Sequence, residues 1–129
     1  MSNLNALNSA QSEAAQVVDG PLLILAGAGS GKTRVLTHRI SYLIQEIGVP
    51  PWNILAVTFT NKAAGEMRER VENLVGSATQ NIWIGTFHSI CARLLRFEAT
   101  AFGLDASFTI YDEEDRRTLM RRILKSLNV

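Results

Sequence analysis

Apolar residues along this chain fall into two patterns that alternate: short unbroken runs, and longer stretches with helical spacing. The unbroken runs are Leu22-Leu23-Ile24-Leu25, Ile54-Leu55-Ala56-Val57 and Ile82-Trp83-Ile84. Short runs without polar alternation suit strands buried on both faces, the habit of a parallel sheet. Between them the period changes. Ala10, Ala14, Val17 and Val18 share one face over 4–18, and Gly20-Pro21 ends that stretch. Leu36, Ile40, Leu43, Ile44 and Ile47 form a stripe over 31–46, stopped by Gly48 and Pro50-Pro51. Ala64, Met67, Val71, Leu74 and Val75 repeat the pattern up to Val75, with Glu66 and Arg70 paired at i,i+4 in the favourable order. Ile90, Cys91, Leu94 and Leu95 face inward on another helix, from Ile90 to Ala101, with Cys91 as a buried filler. Strand, loop and helix thus repeat three times. The pattern predicts an α/β fold with parallel strands at 22–26, 54–58 and 82–86, right-handed crossovers and helices on both faces.

The last segment breaks the rhythm. Phe108-Thr109-Ile110-Tyr111-Asp112-Glu113 resembles a strand ending in a metal-binding acidic pair, but it alternates where the three runs do not. Asp112 reads better as an N-cap, with Glu113, Glu114 and Asp115 in a first helical turn where acids are favoured. Met120, Ile123, Leu124 and Leu127 then form a stripe. Arg116, Arg117, Arg121, Arg122 and Lys125 fall on the other faces, a solvated or phosphate-facing surface.

The loop after the first run carries the most specific chemistry: Ala26-Gly27-Ala28-Gly29-Ser30-Gly31-Lys32-Thr33, between a strand-like run and a helix. Backbone N–H groups that converge on phosphate need residues such as Gly29 and Gly31, which tolerate positive φ and close approach. The following helix adds the partial positive charge of its N-terminus. Lys32 would reach the β- and γ-phosphates of a nucleoside triphosphate, and the Thr33 hydroxyl would take one Mg²⁺ position. Ala26 stands where the strict form of this loop has its first glycine. Gln11 has two readings. With Asn8 it fits a capping box, and its carboxamide also matches the amino group and N7 of adenine. Arg34 is either a base-stacking or a solvated cation, and His38 is placed on the helix surface.

The other two loops lie at the C-terminal ends of strands, where open α/β sheets bind ligands. Thr58-Phe59-Thr60-Asn61-Lys62 sets an aromatic among hydroxyls, an amide and a lysine, as sites for single-stranded nucleic acid do; the alternative is a buried Phe59 beside a helix cap. In Gly85-Thr86-Phe87-His88-Ser89, His88 is either structural or a ligand contact, and no other residue completes a metal site with it.

Composition narrows little. At 129 residues the chain suits one domain but is short for a complete nucleotide-hydrolysing core. A net charge of +1 gives no hint of nucleic acid, so any such reading rests on the loops. The single cysteine excludes an intramolecular disulfide; with neither an apolar spanning run nor a signal-like N-terminus, a cytoplasmic protein is expected.

Taken in order, Leu7-Asn8-x-x-Gln11, the loop from Ala26 to Thr33 followed by Arg34-Val35-Leu36-Thr37, Thr58 to Ala64, and Gly85 to Ser89 resemble the amino-terminal region of the UvrD/PcrA/Rep family of superfamily 1 DNA helicases. The resemblance covers essentially the whole chain, and alanine at position 26 is usual in that family. It implies a P-loop (RecA-like) three-layer fold with a parallel sheet, here incomplete. Residues 1–101 would be part of a first RecA-like domain and 102–129 the start of an inserted helical subdomain. It implies ATP and Mg²⁺ as cofactors, with Gln11 reading adenine, Arg34 packing on it, residues 26–34 forming the nucleotide site, and Lys32 and Thr33 serving phosphate and metal. Phe59, Thr60, Asn61, Thr86 and His88 would contact single-stranded DNA.

The family's acidic metal motif, switch glutamine, arginine fingers and second RecA-like domain would lie beyond Val129, so a fragment inactive alone is expected. Its parent would be an ATP-dependent helicase moving 3′-to-5′ on single-stranded DNA and opening 3′-tailed duplexes. An exposed sheet edge or an exchanged terminal helix would let the fragment self-associate. A nucleotide kinase, a helicase–nuclease subunit and a non-enzymatic DNA-binding module are the competing readings.

Overall fold

Parallel pairing joins the second and third of the predicted strands. In a computed structural model that describes residues 3–27, 29 and 31–128, β1 (Leu55–Thr58) lies beside β2 (Trp83–Thr86), with Leu55 opposite Trp83 and Thr58 opposite Thr86. Ala28 and Ser30, two of the predicted phosphate-loop residues, lie outside the described residues. Before the sheet come α1 (Ser9–Gln16) and α2 (Lys32–Gln45); α3 (Asn61–Val75) crosses from β1 to β2, and α4 (Phe87–Phe97) and α5 (Glu113–Ser126) follow. Ile40 of α2, Ile54, Met67 and Val71 of α3, Ile82 and Ile84 form the core cluster. These are the same stripes and runs that the periodicity picked out.

The expected strand at 22–26 is a correction. Residues 21–27 carry no regular secondary structure, and the sheet among the described residues has two strands. An apolar run becomes a strand only when a neighbour takes its backbone hydrogen bonds, and β1 and β2 take each other's. Leu23 and Leu25 are consequently 80% and 86% exposed. The chain is therefore α/β with a small parallel sheet, and the complete three-layer fold is not formed by the described residues.

Three side-chain expectations also change. His38 is not on the surface: it is 8% exposed, and its Nδ1 lies 2.8 Å from the Arg34 carbonyl. A carbonyl only accepts, so Nδ1 carries the proton. Thr37 and Ser41 are buried beside it, the Thr37 hydroxyl donating to the Arg34 carbonyl and the Ser41 hydroxyl to Gln45 Oε1. Because α2 packs against both α1 and α3, its buried face is wider than the Leu36–Ile47 stripe, and local hydrogen bonds make the polar positions tolerable there. On α1 the residue most fully buried is Ala15, not Ala10 or Val17; Arg39 of α2 donates to the Ala14 and Val17 carbonyls and so holds the end of that helix. Cys91, Leu94 and Leu95 are exposed, while Ile90 and Ala92 take the buried places on α4.

The chain forms two compact units, Met1–Cys91 and Ala92–Val129, divided within α4. In the second unit Arg96 lies over the Phe108 ring at 5.1 Å, and α5 opens with the predicted cap: Asp112 Oδ1 accepts from Asp115 N at 2.8 Å and Asp115 Oδ2 from Asp112 N at 3.2 Å. Leu119, Met120, Ile123, Leu124 and Leu127 remain exposed along that helix. Among the described residues no helix is long and apolar enough to cross a membrane.

Candidate functional site

An α-helix begins with N–H groups that no residue of the helix accepts, so each N-terminus needs an outside partner. Asn8 supplies it for α1, Thr60 for α3 (Ala63 N to Thr60 Oγ1, 3.1 Å), Thr86 for α4 (Ser89 N to Thr86 Oγ1, 3.2 Å) and Asp112 for α5. Helix α2 is different. Its N-cap is Gly31, which has no side chain to offer, and its first turn holds no acid but two cations, Lys32 and Arg34. Cations at a helix N-terminus oppose the macrodipole by about 0.3–1 kcal/mol each. An anion placed at the start of α2 would answer both features.

Glycine is needed at position 31 on two counts. Its φ of 84° lies in the left-handed region, and a Cβ there would fall 2.9 Å from Gln11 Nε2. Gly29 also has positive φ, 76°. Lys32 Nζ donates to the carbonyls of Ala26 (2.8 Å) and Gly27 (3.0 Å), tying the helix start back to the beginning of the loop. Gln11 completes the capping box, its Oε1 accepting from Asn8 N at 3.1 Å while its N–H donates to Asn8 Oδ1 at 2.9 Å. A cavity of about 280 Å³ is lined by Gln11, Ala26 and Lys32 together with Ile24, Ala14 and Val35. The fold thus gathers residues distant in sequence at one place. Thr33 is half-buried and Arg34 exposed in the first turn of α2, and Gly27 is exposed.

The second group sits at the C-terminal ends of β1 and β2. Phe59 is 89% exposed, which removes the buried-phenylalanine alternative. Thr60 accepts as the α3 cap, Thr58 Oγ1 donates to the Thr60 carbonyl at 3.0 Å, and Asn61 is exposed at the first position of α3. Thr86 is buried and its hydroxyl is committed to Ser89, so in this geometry it shapes the loop. His88 is exposed on the first turn of α4.

From Leu7 to Val129 the chain matches the sequence family described as the UvrD/REP helicase N-terminal domain. It belongs to that family. It is 58% identical over 123 residues to the ATP-dependent DNA helicase PcrA of Staphylococcus epidermidis, covering 95% of this chain and 17% of the relative. With the ATP-dependent DNA helicase PcrA of Staphylococcus aureus it shares 56% over 126 residues, 98% of this chain and 17% of the relative. The chain therefore spans about 17% of the length of the curated relatives it matches.

One feature of this UvrD/REP domain escaped the sequence reading. Phe87 is half-exposed, with its ring centroid 5.4 Å from that of Phe59. The signal was available: two parallel strands whose loops each place a phenylalanine one residue past a threonine. What the sequence lacked was the register, which sets Thr58 against Thr86 and so brings the two rings side by side.

Proposed function

We propose that this chain is the part of an ATP-dependent DNA helicase that binds ATP at the start of α2 and single-stranded DNA at the ends of β1 and β2. The observation that carries the first half is the uncapped, doubly cationic N-terminus of α2. Polyphosphate oxygens satisfy its backbone N–H groups and offset Lys32 and Arg34 at once. Lys32 exchanges the Ala26 and Gly27 carbonyls for the β- and γ-phosphates, and Thr33 presents a hard oxygen of the kind Mg²⁺ takes. Gln11 reads adenine and Arg34 packs on it, while loop residues 26–31, Ala28 and Ser30 included, line the phosphates. Bound ATP supplies the free energy of phosphoryl transfer. Phe59 stacks on a base, Thr60, Asn61 and His88 meet the strand, and Thr86 holds the third loop in place.

The relatives, ATP-dependent DNA helicases by name, support the reading, and with the chain at 17% of their length the activity belongs to a longer protein. In that protein residues 1–101 are part of a RecA-like domain whose sheet further strands complete, and 102–129 begin an inserted helical subdomain. The parent moves 3′-to-5′ along single-stranded DNA, opens 3′-tailed duplexes and works in the cytoplasm. This chain alone binds ATP without appreciable turnover, since an arginine finger missing from a phosphoryl-transfer site costs about 10³–10⁵ in rate.

Equilibrium binding of a fluorescent ATP analogue to the chain tests the nucleotide half. Lys32→Ala is expected to weaken it about tenfold or more, the range for charged hydrogen bonds. Equal affinity in a folded variant would end the proposal.

A further inference from the structure

Phe87 has no assigned role, yet its geometry is specific. We propose that it is a second base-stacking residue, which with Phe59 makes a two-ring platform for single-stranded nucleic acid; the inference rests on the DNA reading of the Phe59 loop. The rings meet at 5.4 Å with their planes tilted by 43°. Phe59 is 89% and Phe87 48% exposed, so the contact buries neither ring. Two aromatic faces held together in water are an apolar surface awaiting a flat partner.

Their placement is enforced from below. Gly85 lets α4 close down onto the end of β2: a Cβ there would stand 2.6 Å from Ser89 Oγ and 3.3 Å from Ile90 Cδ1. The Thr86–Ser89 hydrogen bonds then fix the first turn of α4 and the start of the Phe87 side chain.

Charge selects the occupant. The rings lie between the N-termini of α3 and α4, neither of which has an acid in its first turn, with Lys62 exposed on α3 and His88 on α4. Two helix dipoles and a lysine around exposed rings favour a ligand that is anionic along its length and carries flat apolar faces. Single-stranded nucleic acid has both properties. An apolar peptide would satisfy the rings but leave the positive ends unanswered. The 43° tilt adds a geometric consequence: bases lying on the two rings cannot remain parallel, so the strand is unstacked at that step.

The test uses this chain and a short fluorescent oligothymidylate, with binding followed by anisotropy and folding by circular dichroism. Phe87→Leu keeps the apolar volume and removes the ring. It is expected to weaken binding by about 5- to 100-fold, as loss of a stacking aromatic does, whereas Phe87→Tyr stays within about threefold of the parent chain. A strand with two adjacent 2-aminopurines should brighten on binding, and less with Phe87→Leu. If Phe59→Ala weakens binding while Phe87→Leu leaves affinity and brightening unchanged, Phe87 is only a packing neighbour and the inference fails alone. If the folded parent chain binds no single strand, the DNA reading fails with it.

Discussion

Replacing Gln11 separates two uses of one carboxamide. Its Oε1 accepts from Asn8 N at 3.1 Å, and its Nε2 end lies against Gly31, at the close of the phosphate loop. A carbonyl oxygen has two lone pairs, so Oε1 can keep the Asn8 N–H and still accept from the adenine amino group while Nε2 donates to N7. Gln11→Ala loses both uses. The capping bond is neutral and exposed, worth about 0.5–1 kcal/mol, which in a chain of this size lowers Tm by roughly 2–5 °C. Gln11→Glu keeps the acceptor, and its charge gains about 0.3–1 kcal/mol from the α1 dipole, so it should melt at or above the parent chain. Yet it has no donor for N7, an acceptor in adenine and guanine alike, so it should weaken ATP binding by roughly tenfold or more while keeping the preference for ATP over GTP, which the acceptor facing the adenine amino group sets.

The assay pairs thermal unfolding with competition of ATP and GTP for the same fluorescent nucleotide. Gln11→Glu with its full affinity for ATP would show that Gln11 is a cap and nothing more. Gln11→Glu destabilised as far as Gln11→Ala would show that the capping box contributes nothing to stability.

Three further outcomes are expected. Asp112→Ala should cost about 1 kcal/mol and reduce helix content while leaving ATP binding intact; a folded variant that no longer binds ATP would return Asp112 to a metal-site role. Asp105 accepts from the backbone N–H of Ser107 (2.8 Å) and its hydroxyl (2.7 Å), which hold its carboxyl below the ordinary carboxylate value. The contribution is therefore present above the unfolded pKa and lost as pH falls through the lower folded one. By NMR titration Ser107→Ala should move the midpoint upward, because one of the two donors is removed; a fixed midpoint contradicts the assignment. Finally, exposed Leu23 and Leu25 and the apolar side of α5 should make the chain self-associate, with Leu23→Lys/Leu25→Lys reducing it. Light scattering from a monomer at high micromolar concentration would refute this.

Periodicity was enough for β1, β2 and the approximate extents of α2, α3 and α5, because there the apolar pattern and the flanking start or stop residues agree. It failed where the outcome depended on a neighbour. The run at Leu22–Leu25 is as apolar as Ile54–Val57, but pairing is a property of two segments and cannot be read from one. His38 looked superficial because hydropathy ranks histidine as polar, while burial was decided by α1 and α3 closing on both sides of α2. The candidate site left a clearer pattern in the sequence than the packing did. Phosphate-loop chemistry is encoded in consecutive residues; the Phe59–Phe87 contact is encoded in a strand register.

The helix starts themselves give a physical reason for placing the two proposed ligands at these loops. A capped N-terminus has spent its strongest donors on its own chain, as α3 and α4 have with Thr60 and Thr86. What such loops still offer is whatever the cap pushes outward, here the faces of Phe59 and Phe87 and the residual positive end of each helix. That combination grips a polymer loosely and without regard to sequence, through stacking and charge. An uncapped start, as at Gly31, instead leaves N–H groups in fixed directions, which hold one compact anion tightly and in one orientation. Weak, repeated contacts suit a strand that must be released and regripped. Directional contacts suit a phosphate whose position must not vary. The two kinds of helix start, one glycine-capped and two threonine-capped, thus match the two ligands proposed, and a change at the first of them separates the roles. Removing the first-turn cation with Lys32→Ala should weaken ATP binding while leaving oligothymidylate affinity unchanged; equal losses of both would show that the helix starts do not divide the work in this way.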